Sequence, residues 1–397
     1  MEMMNDAPAA ALADPQTFIR DEAHDQWRHL RAYRPVAWTP EPDGPGFWSV
    51  TRHGDGERVL RETSLFSSFE GTTLEANRWE DDPAAGKMLP LMTAPTHGEL
   101  RRILLPYFSG RRLAALETEA AAFVGGLVED CAAQGRFEVT DMLGTRIPTH
   151  IAFGLLGLPE SDEAALLPTV RDTLSCDEEA RTIADAELLL YIADVVDQRR
   201  RRPGDDAISA VVSAQLSVGK LEDEAVLLTV LNLMTAGLTT TRLAITGALH
   251  ALITHEAQWR WLQTQPEVPG SAVEECLRWT SPAAAVVRTA SGDAELGGQR
   301  VRIGQRIAVW IPSLNRDESV FDNAGHLRLD RSPNRHLGFG TGVHACLGMV
   351  LARLELRLLL DTIRRRWKHL ESAGPVERLG SLVLQGIDRL PVRVASA

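Results

Sequence analysis

The run from about Leu221 to His255 constrains the fold more than any other segment of this chain. It is the longest helical stretch, and its middle, Leu231 to Ala248, is apolar on most faces. Such a helix is unstable at a surface and has to cross a core that other helices build around it. Those helices are legible as well. Leu113 to Ala133 carries apolar residues at helical spacing and is rich in Ala and Glu. Ile183 to Arg202 reads as an amphipathic helix ended by Pro203, and Ile151 to Leu158 is nearly all apolar and expected to be buried. Phe47 to Val50 reads as a strand after the Asp43-Gly44-Pro45-Gly46 turn. After Trp279 the pattern changes to short β-prone pieces at Val286 to Thr289, Arg300 to Ile303 and Arg306 to Ile311, and the tail from Leu382 to Val394 is strand-like. The expected class is mainly α with small β-sheets.

With 397 residues, 44% of them hydrophobic, the chain can bury a large core. Length alone allows two or three domains. No Pro/Gly/Ser-rich linker, low-complexity block or repeat divides it, so a single domain over residues 1–397 is expected, with residues 1–20 as a flexible N-terminus. A net charge of −12 disfavours nucleic acid as a partner. The one basic run, Arg199 to Arg202, reads as a solvated helix end rather than a phosphate patch. Met1 to Pro15 lacks the basic and apolar regions of a leader, and no stretch looks apolar enough to span a bilayer. A soluble, cytoplasmic protein with no membrane contact is the expectation. Cys131, Cys176, Cys276 and Cys346 show no paired spacing, which fits a reducing compartment and argues against both disulfides and a zinc site.

Cys346 stands apart from the other three. It sits in a glycine-rich loop, Phe339-Gly340-Thr341-Gly342-Val343-His344-Ala345-Cys346-Leu347-Gly348, directly before the helix-like run Met349 to Leu356. A thiolate placed there is stabilised by the N-terminal end of the helix dipole and by free backbone N–H groups. Gly340, Gly342 and Gly348 allow positive φ and let a flat cofactor approach the backbone. The Gly338–Gly342 stretch lacks the third glycine and the acidic residue of a dinucleotide loop. No H-E-x-x-H, G-x-S-x-G or P-loop pattern occurs.

The run F-G-x-G-x-H-x-C-x-G resembles the haem-binding loop of the cytochrome P-450 family, and the resemblance extends from Arg28-His29-Leu30 and Phe47–Val50 to the C-terminus. It implies the P-450 fold, with haem b lying between the long central helix and the helix after the cysteine loop. Cys346 would be the axial ligand of the haem iron, in a loop that includes Phe339, Gly340 and Gly348. Thr93-Ala94-Pro95-Thr96-His97, followed by Arg101, puts two basic side chains four apart on one helix face. By resemblance His97 and Arg101, joined by Arg288 and His344, neutralise the haem propionates, since a buried anion needs such partners. Glu275-Cys276-Leu277-Arg278 resembles the family's E-x-x-R helix, and Leu329 to Asn334 its meander. These imply a structural lock of Glu275, Arg278 and Arg331. Leu314-Asn315-Arg316-Asp317 also resembles the segment before the meander.

Ala236-Gly237-Leu238-Thr239-Thr240-Thr241 resembles the family's central-helix signature, A/G-G-x-D/E-T-T. A mid-helix Gly237 costs about 1 kcal/mol relative to Ala, which the resemblance explains as a groove where dioxygen lies over iron. Thr240 takes the place of the alcohol that relays protons, but Thr239 stands where the family has an acid. Thr239 either back-bonds to the helix, leaving water or the substrate to deliver protons, or marks a reaction that ends in coupling or ring closure. The pocket implied is lined by Asn232, Thr235, Ala284, Val287 and Leu384, with Phe69 and Trp79 as caps or as core. The function expected is a haem-thiolate monooxygenase that uses O2 and electrons from a ferredoxin or flavodoxin with its NAD(P)H reductase to oxidise a medium-sized secondary metabolite. The alternatives are an oxidative C–C or C–N coupling enzyme and a non-catalytic domain that recruits a carrier protein. An acidic electron donor is expected to dock near Arg101, Arg102, Arg111, Arg112, Arg335 and Arg353.

Overall fold

The computed structural model describes residues 7–42, 44–74, 84–173 and 178–396; Trp79 and Cys176 lie outside the described residues. Its axis is the central helix, Asp223–Thr254, about 48 Å long at 1.5 Å per residue. The helix joins two cores. Its N-terminal half puts Ala225, Val226, Val230, Met234 and Leu238 into a cluster with helices Thr96–Leu104, Glu178–Arg201 and Ala207–Val212. The C-terminal half puts Ala244, Ile245, Ala248, Leu249 and Leu252 into another, shared with helices Gly110–Gln134, Gly270–Thr280 and Met349–Arg366. By length and composition the central helix is apolar enough to cross a membrane, with mean hydropathy 1.3 over its most apolar stretch. That corrects the expectation that nothing approaches such a span. In this fold 44% of that stretch is buried, and the helix packs against its neighbours as a core helix. At Gly247 a Cβ would stand 2.8 Å from Thr280 Cγ2, so close packing on Gly270–Thr280 requires glycine there. Arg242, buried in mid-helix, is held by Asp388 at 3.0 Å and by the Arg171 carbonyl at 3.0 Å.

A five-stranded sheet flanks this helical body, in the order Val36–Thr39, Phe47–Val50, Arg306–Trp310, Ala285–Ala290, Phe66–Ser67. All its pairs are antiparallel except Phe47–Val50 with Arg306–Trp310. One face packs Ala285, Val287, Ala308 and Trp310 against Phe18, Trp27 and Leu30 of the N-terminal helices. The other packs Val286, Ile307 and Val309 against Val59 and Leu60. The N-terminal expectation therefore fails from Ala7 onward. Helices Ala7–Ala11 and Gln16–Ile19 bury Ala9 and Phe18, and apolar burial orders them. The strand-like tail is also corrected. Only Ile387–Arg389 and Pro391–Ser396 are strands, and Leu382 to Gly386 makes a turn with Gly386 at φ +156°. The basic helix end is ion-paired: Arg199 binds Asp206 at 2.8 Å and Arg200 binds Asp223 at 2.6 Å.

Helix Met349–Arg366 carries one anomalous charge. Glu355 is buried among leucines, its Oε2 has no hydrogen-bond partner, and burial pushes its carboxyl up to about 8 from 4.5. Its folded value lies above its unfolded one, so this contribution to stability is full below pH 4.5 and is lost as the pH rises through 8. Glu355→Gln is expected to gain in melting temperature on the wild type as the pH rises across that window. The effect is up to a few kcal/mol, at roughly 1.4 kcal/mol per pKa unit. A difference that does not vary with pH contradicts it.

Candidate functional site

The loop from Phe339 to Gly348 is closed by the Cys346 N–H donating to the Phe339 carbonyl at 2.9 Å. Gly340 and Gly342 take the left-handed conformation, at φ +65° and +74°. Gly348 does not: as N-cap of helix Met349–Arg366 it has φ −84°. What glycine provides there is room, because a Cβ built at Gly340 or Gly348 meets nothing within 4 Å. Cys346 itself has open surface. Even so, burial is the largest influence on its thiol and pushes its pKa up, while the Gly348 backbone N–H, Arg101 and Arg353 pull it down. Open surface that is still desolvated belongs to an internal slot rather than to the exterior. Arg353 lies 4.7 Å over the Phe339 ring and is bonded to Glu274 at 2.6 and 2.8 Å.

Four basic side chains gather beside this loop. His97 and Arg101 stand one turn apart on helix Thr96–Leu104. The His97 ring packs on the His344 ring, centroids 4.1 Å apart, and Ser68 Oγ lies 3.4 Å from His344 Nε2. Arg288 arrives from strand Ala285–Ala290, buried, with one guanidinium N–H spent on its own neighbour's carbonyl at Val287. Arg288 Nε and His344 Nδ1 are buried without a partner. Burial pushes Arg288 down to about 10. It also takes His344 down to about 3, with His97, Arg288 and Arg101 adding repulsion. Burial likewise lowers His97 and Arg101. Among the described residues, the charges acting on the four are one another's and that of Cys346, and no carboxylate acts on any of them. Two guanidiniums held partly or wholly out of water, with two neutral imidazoles beside them as donors, call for an anion that the described residues do not supply.

The opposite wall is the stretch of central helix between its two cores. Ala236 is exposed, and a Cβ at Gly237 meets nothing within 4 Å. Leu347, next to Cys346, packs on the hydrophobic cluster to which Met234 and Leu238 of this helix also belong. Thr235, Thr239 and Thr240 each donate back to the helix, to Leu231 at 3.0 Å, Thr235 at 3.2 Å and Ala236 at 2.7 Å. Asn232 is half-buried two turns before Thr240. Leu384 packs with Leu243, one turn past Thr239, and bridges to Ala283. Two of the expected pocket residues are elsewhere. Side chains alternate along a strand, so Val287 points away from the Arg288 face and is buried with Trp27 and Trp310; Ala284, fully buried, joins the same cluster. Phe69 is exposed at 44% and lies against Gly86, as a rim rather than as core.

Beneath the loop, Glu275 accepts from Arg278 at 2.7 Å and from Arg331 at 2.9 Å, all three buried. Residues that the sequence reading missed complete the arrangement. Asn334 donates to Glu275 at 3.1 Å, and Asn315 accepts from Leu337 N–H at 2.7 Å while donating to Ser281 at 2.8 Å. Asn315 and Asn334 had a signal, their places in Leu314–Asp317 and in Leu329–Asn334; Ser68 had none.

Known proteins share this architecture. The chain is 33% identical over 389 residues to cytochrome P450 NovI of Streptomyces niveus, covering 96% of each. It is 30% identical to the steroid C26-monooxygenase of Rhodococcus jostii over 97% of this chain and 84% of that one. The crystal structure of P450 OxyD, involved in the biosynthesis of vancomycin-type antibiotics, superposes with a TM-score of 0.91 at 31% identity, covering 97% of this chain and 99% of that one. The cytochrome P450 family model matches residues 270–384. The chain belongs to the cytochrome P450 family. It is an oxidoreductase, and the family's cofactor is an iron haem on a cysteine thiolate. Of the arginines expected to meet an electron donor, the side chain of Arg111 lies outside the described residues, Arg353 is paired with Glu274 and Arg112 with Asp205, and Arg102 and Arg335 are exposed in this P450.

Removing the Glu275 charge strands two buried guanidiniums. Glu275→Gln is expected to lose about 3–5 kcal/mol of stability in denaturant titration. A loss below 1 kcal/mol, roughly that of an exposed pair, contradicts this role.

Proposed function

We propose that Cys346 is the axial ligand of haem b in a monooxygenase that oxidises a medium-sized secondary metabolite with O2. Its electrons come from a separate ferredoxin or flavodoxin and the NAD(P)H reductase of that carrier. The observation that carries this is the cluster of His97, Arg101, Arg288 and His344 beside the thiol, on which no carboxylate acts among the described residues. It fits a flat cofactor with two carboxylates. The haem iron supplies oxygen activation, with the thiolate favouring O–O cleavage.

The chain's own residues do the rest. Cys346 gives up its proton, helped by the Gly348 N–H and by Arg101 and Arg353. Arg288 and Arg101 pair with the propionates, and His97 and His344 donate to them. Gly237 and Ala236 leave the helix face open above the site. Thr240 holds the proton nearest that opening. To hand it on, its hydroxyl releases the Ala236 carbonyl by turning about χ1, a rotation open to threonine in a helix. Thr239 is back-bonded in the same way and brings no acid, which favours proton delivery by water or by the substrate. It also favours, as a second reading, oxidative coupling or ring closure. OxyD's part in antibiotic biosynthesis and the steroid oxidised by the C26-monooxygenase support a sizeable, multi-ring substrate. Arg102 and Arg335, exposed near the loop, suit an acidic electron donor.

Cys346→Ser is expected to abolish the carbon-monoxide absorption band of thiolate ligation. Cys131→Ser and Cys276→Ser should keep it, because burial pushes both of those thiols up to about 12. A thiolate-type band surviving in Cys346→Ser overturns the assignment. Product analysis after spectral titration of a metabolite panel distinguishes hydroxylation from coupling.

Restoring an acid tests the relay. Thr239→Asp is expected to leave haem content and substrate affinity near wild type and to change the product ratio or the yield per electron. A positioned proton donor contributes ~100- to 10,000-fold, so a real relay shows in turnover. Loss of haem in Thr239→Asp would make Thr239 structural instead.

A further inference from the structure

A second cavity, of about 240 Å³, opens behind the candidate pocket. Leu243, Gly247 and His250 of the central helix form one wall, and Leu379 with Gln385 and Gly386 of the C-terminal turn forms another. Phe18, Asp21 and His24 close it from the N-terminal helices, while Trp279, Arg316 and Arg378 complete it. It shares no cation with the cluster beside Cys346. The Leu384–Leu243 contact lies between the two spaces.

Its polar groups are unevenly matched. Arg316 stacks 4.4 Å over the Trp279 ring and donates one N–H to the Trp279 carbonyl at 3.1 Å, but its Nη1 is buried with no hydrogen-bond partner. His24 Nδ1 is also buried and unpartnered. Most of the other polar side chains are already engaged. Gln385 donates to the Thr280 carbonyl, and the hydroxyls of Thr280 and Thr254 donate back into their own helices. Asp21, the one carboxylate among the described lining residues, is bonded to Arg378 at 2.6 Å. Two guanidiniums therefore face one carboxylate, with two imidazoles beside them. Burial pushes Arg316 down to about 9 and His250 down to about 4. Asp21 and Glu275 attract Arg316, but each is already bonded to another guanidinium, so the remaining Arg316 donor is left without a partner.

We propose that this cavity binds the carboxylate of a small organic acid. Arg316 Nη1 and His24 Nδ1 act as donors, Arg378 stands at the mouth, and the acid's apolar body lies against Phe18, Leu243, Leu379 and Trp279. A guanidinium stacked on an aromatic ring with one edge free has the planar geometry that carboxylates bind. The apolar walls distinguish an organic acid from an inorganic oxyanion.

Two side chains at the partly exposed mouth test this without disturbing the buried Arg316. Arg378→Gln removes an attracting cation. Asp21→Asn removes the carboxylate that competes for it. Benzoate and inorganic phosphate are titrated calorimetrically into the haem-loaded protein and both variants. Saturable benzoate binding is expected, at least tenfold tighter than phosphate. Arg378→Gln should weaken it about tenfold, the size of one charge-assisted hydrogen bond, and Asp21→Asn should tighten it severalfold. Benzoate lodged in the haem pocket would respond to neither substitution. Absent binding, equal affinity for the two anions, or affinity unmoved by both substitutions overturns the proposal.

Discussion

Glu275 has no exposed surface, and the chain from Asn315 to Gly348 is tied to it. Its two oxygens accept from Arg278, Arg331, Asn334 and the Arg328 backbone N–H. Arg278 and Arg331 in turn hold the carbonyls of Asn315, Ala324, Asp322 and His326. This stretch is nearly devoid of regular structure, so side-chain charge does the ordering that a helix or sheet ladder does elsewhere. With the meander fixed, the loop that follows it can present one thiol at a defined place.

Charge compensation also separates structural from functional groups in this protein. Glu275, Arg278 and Arg331 satisfy one another within the chain, whereas His97, Arg101, Arg288 and His344 do not. Both sets are desolvated, and desolvation is expensive for each. The first set answers a need of the fold. The second has no carboxylate acting on it among the described residues, and in the proposed reading the haem propionates supply that charge. The opening beside the central helix follows from the sequence of the helix. Leu238 belongs to one cluster and Ala244 to the other, and just before Leu238 the exposed Ala236 and the open space beside Gly237 leave the helix face uncovered.

Much of this was legible from residue pattern. The central helix is legible to within two residues at each end because its apolar run is long and it joins two hydrophobic cores. Phe47–Val50 and the Arg306 strand followed from β-branched and aromatic runs bounded by turns. Side-chain direction was less accessible. Val287 and Arg288 are adjacent, and which of them faces the slot is decided by sheet register, a long-range property. Gly348 looked like a positive-φ position, but its role is clearance, which depends on what lies opposite. The N-terminal helices are short and their order comes from Trp27 and Trp310, far apart in the chain. The pairing of Arg353 with Glu274 and of Arg112 with Asp205 was likewise invisible until distant segments met.

The central claim is that the open slot between the Cys346 loop and the central helix is an iron-haem site closed by a thiolate. X-ray absorption at the iron edge of the purified, haem-loaded protein tests it most directly, because the first coordination shell identifies ligand elements without reference to activity. The account predicts one sulfur scatterer per iron alongside the porphyrin nitrogens. A first shell of nitrogen and oxygen alone would contradict it.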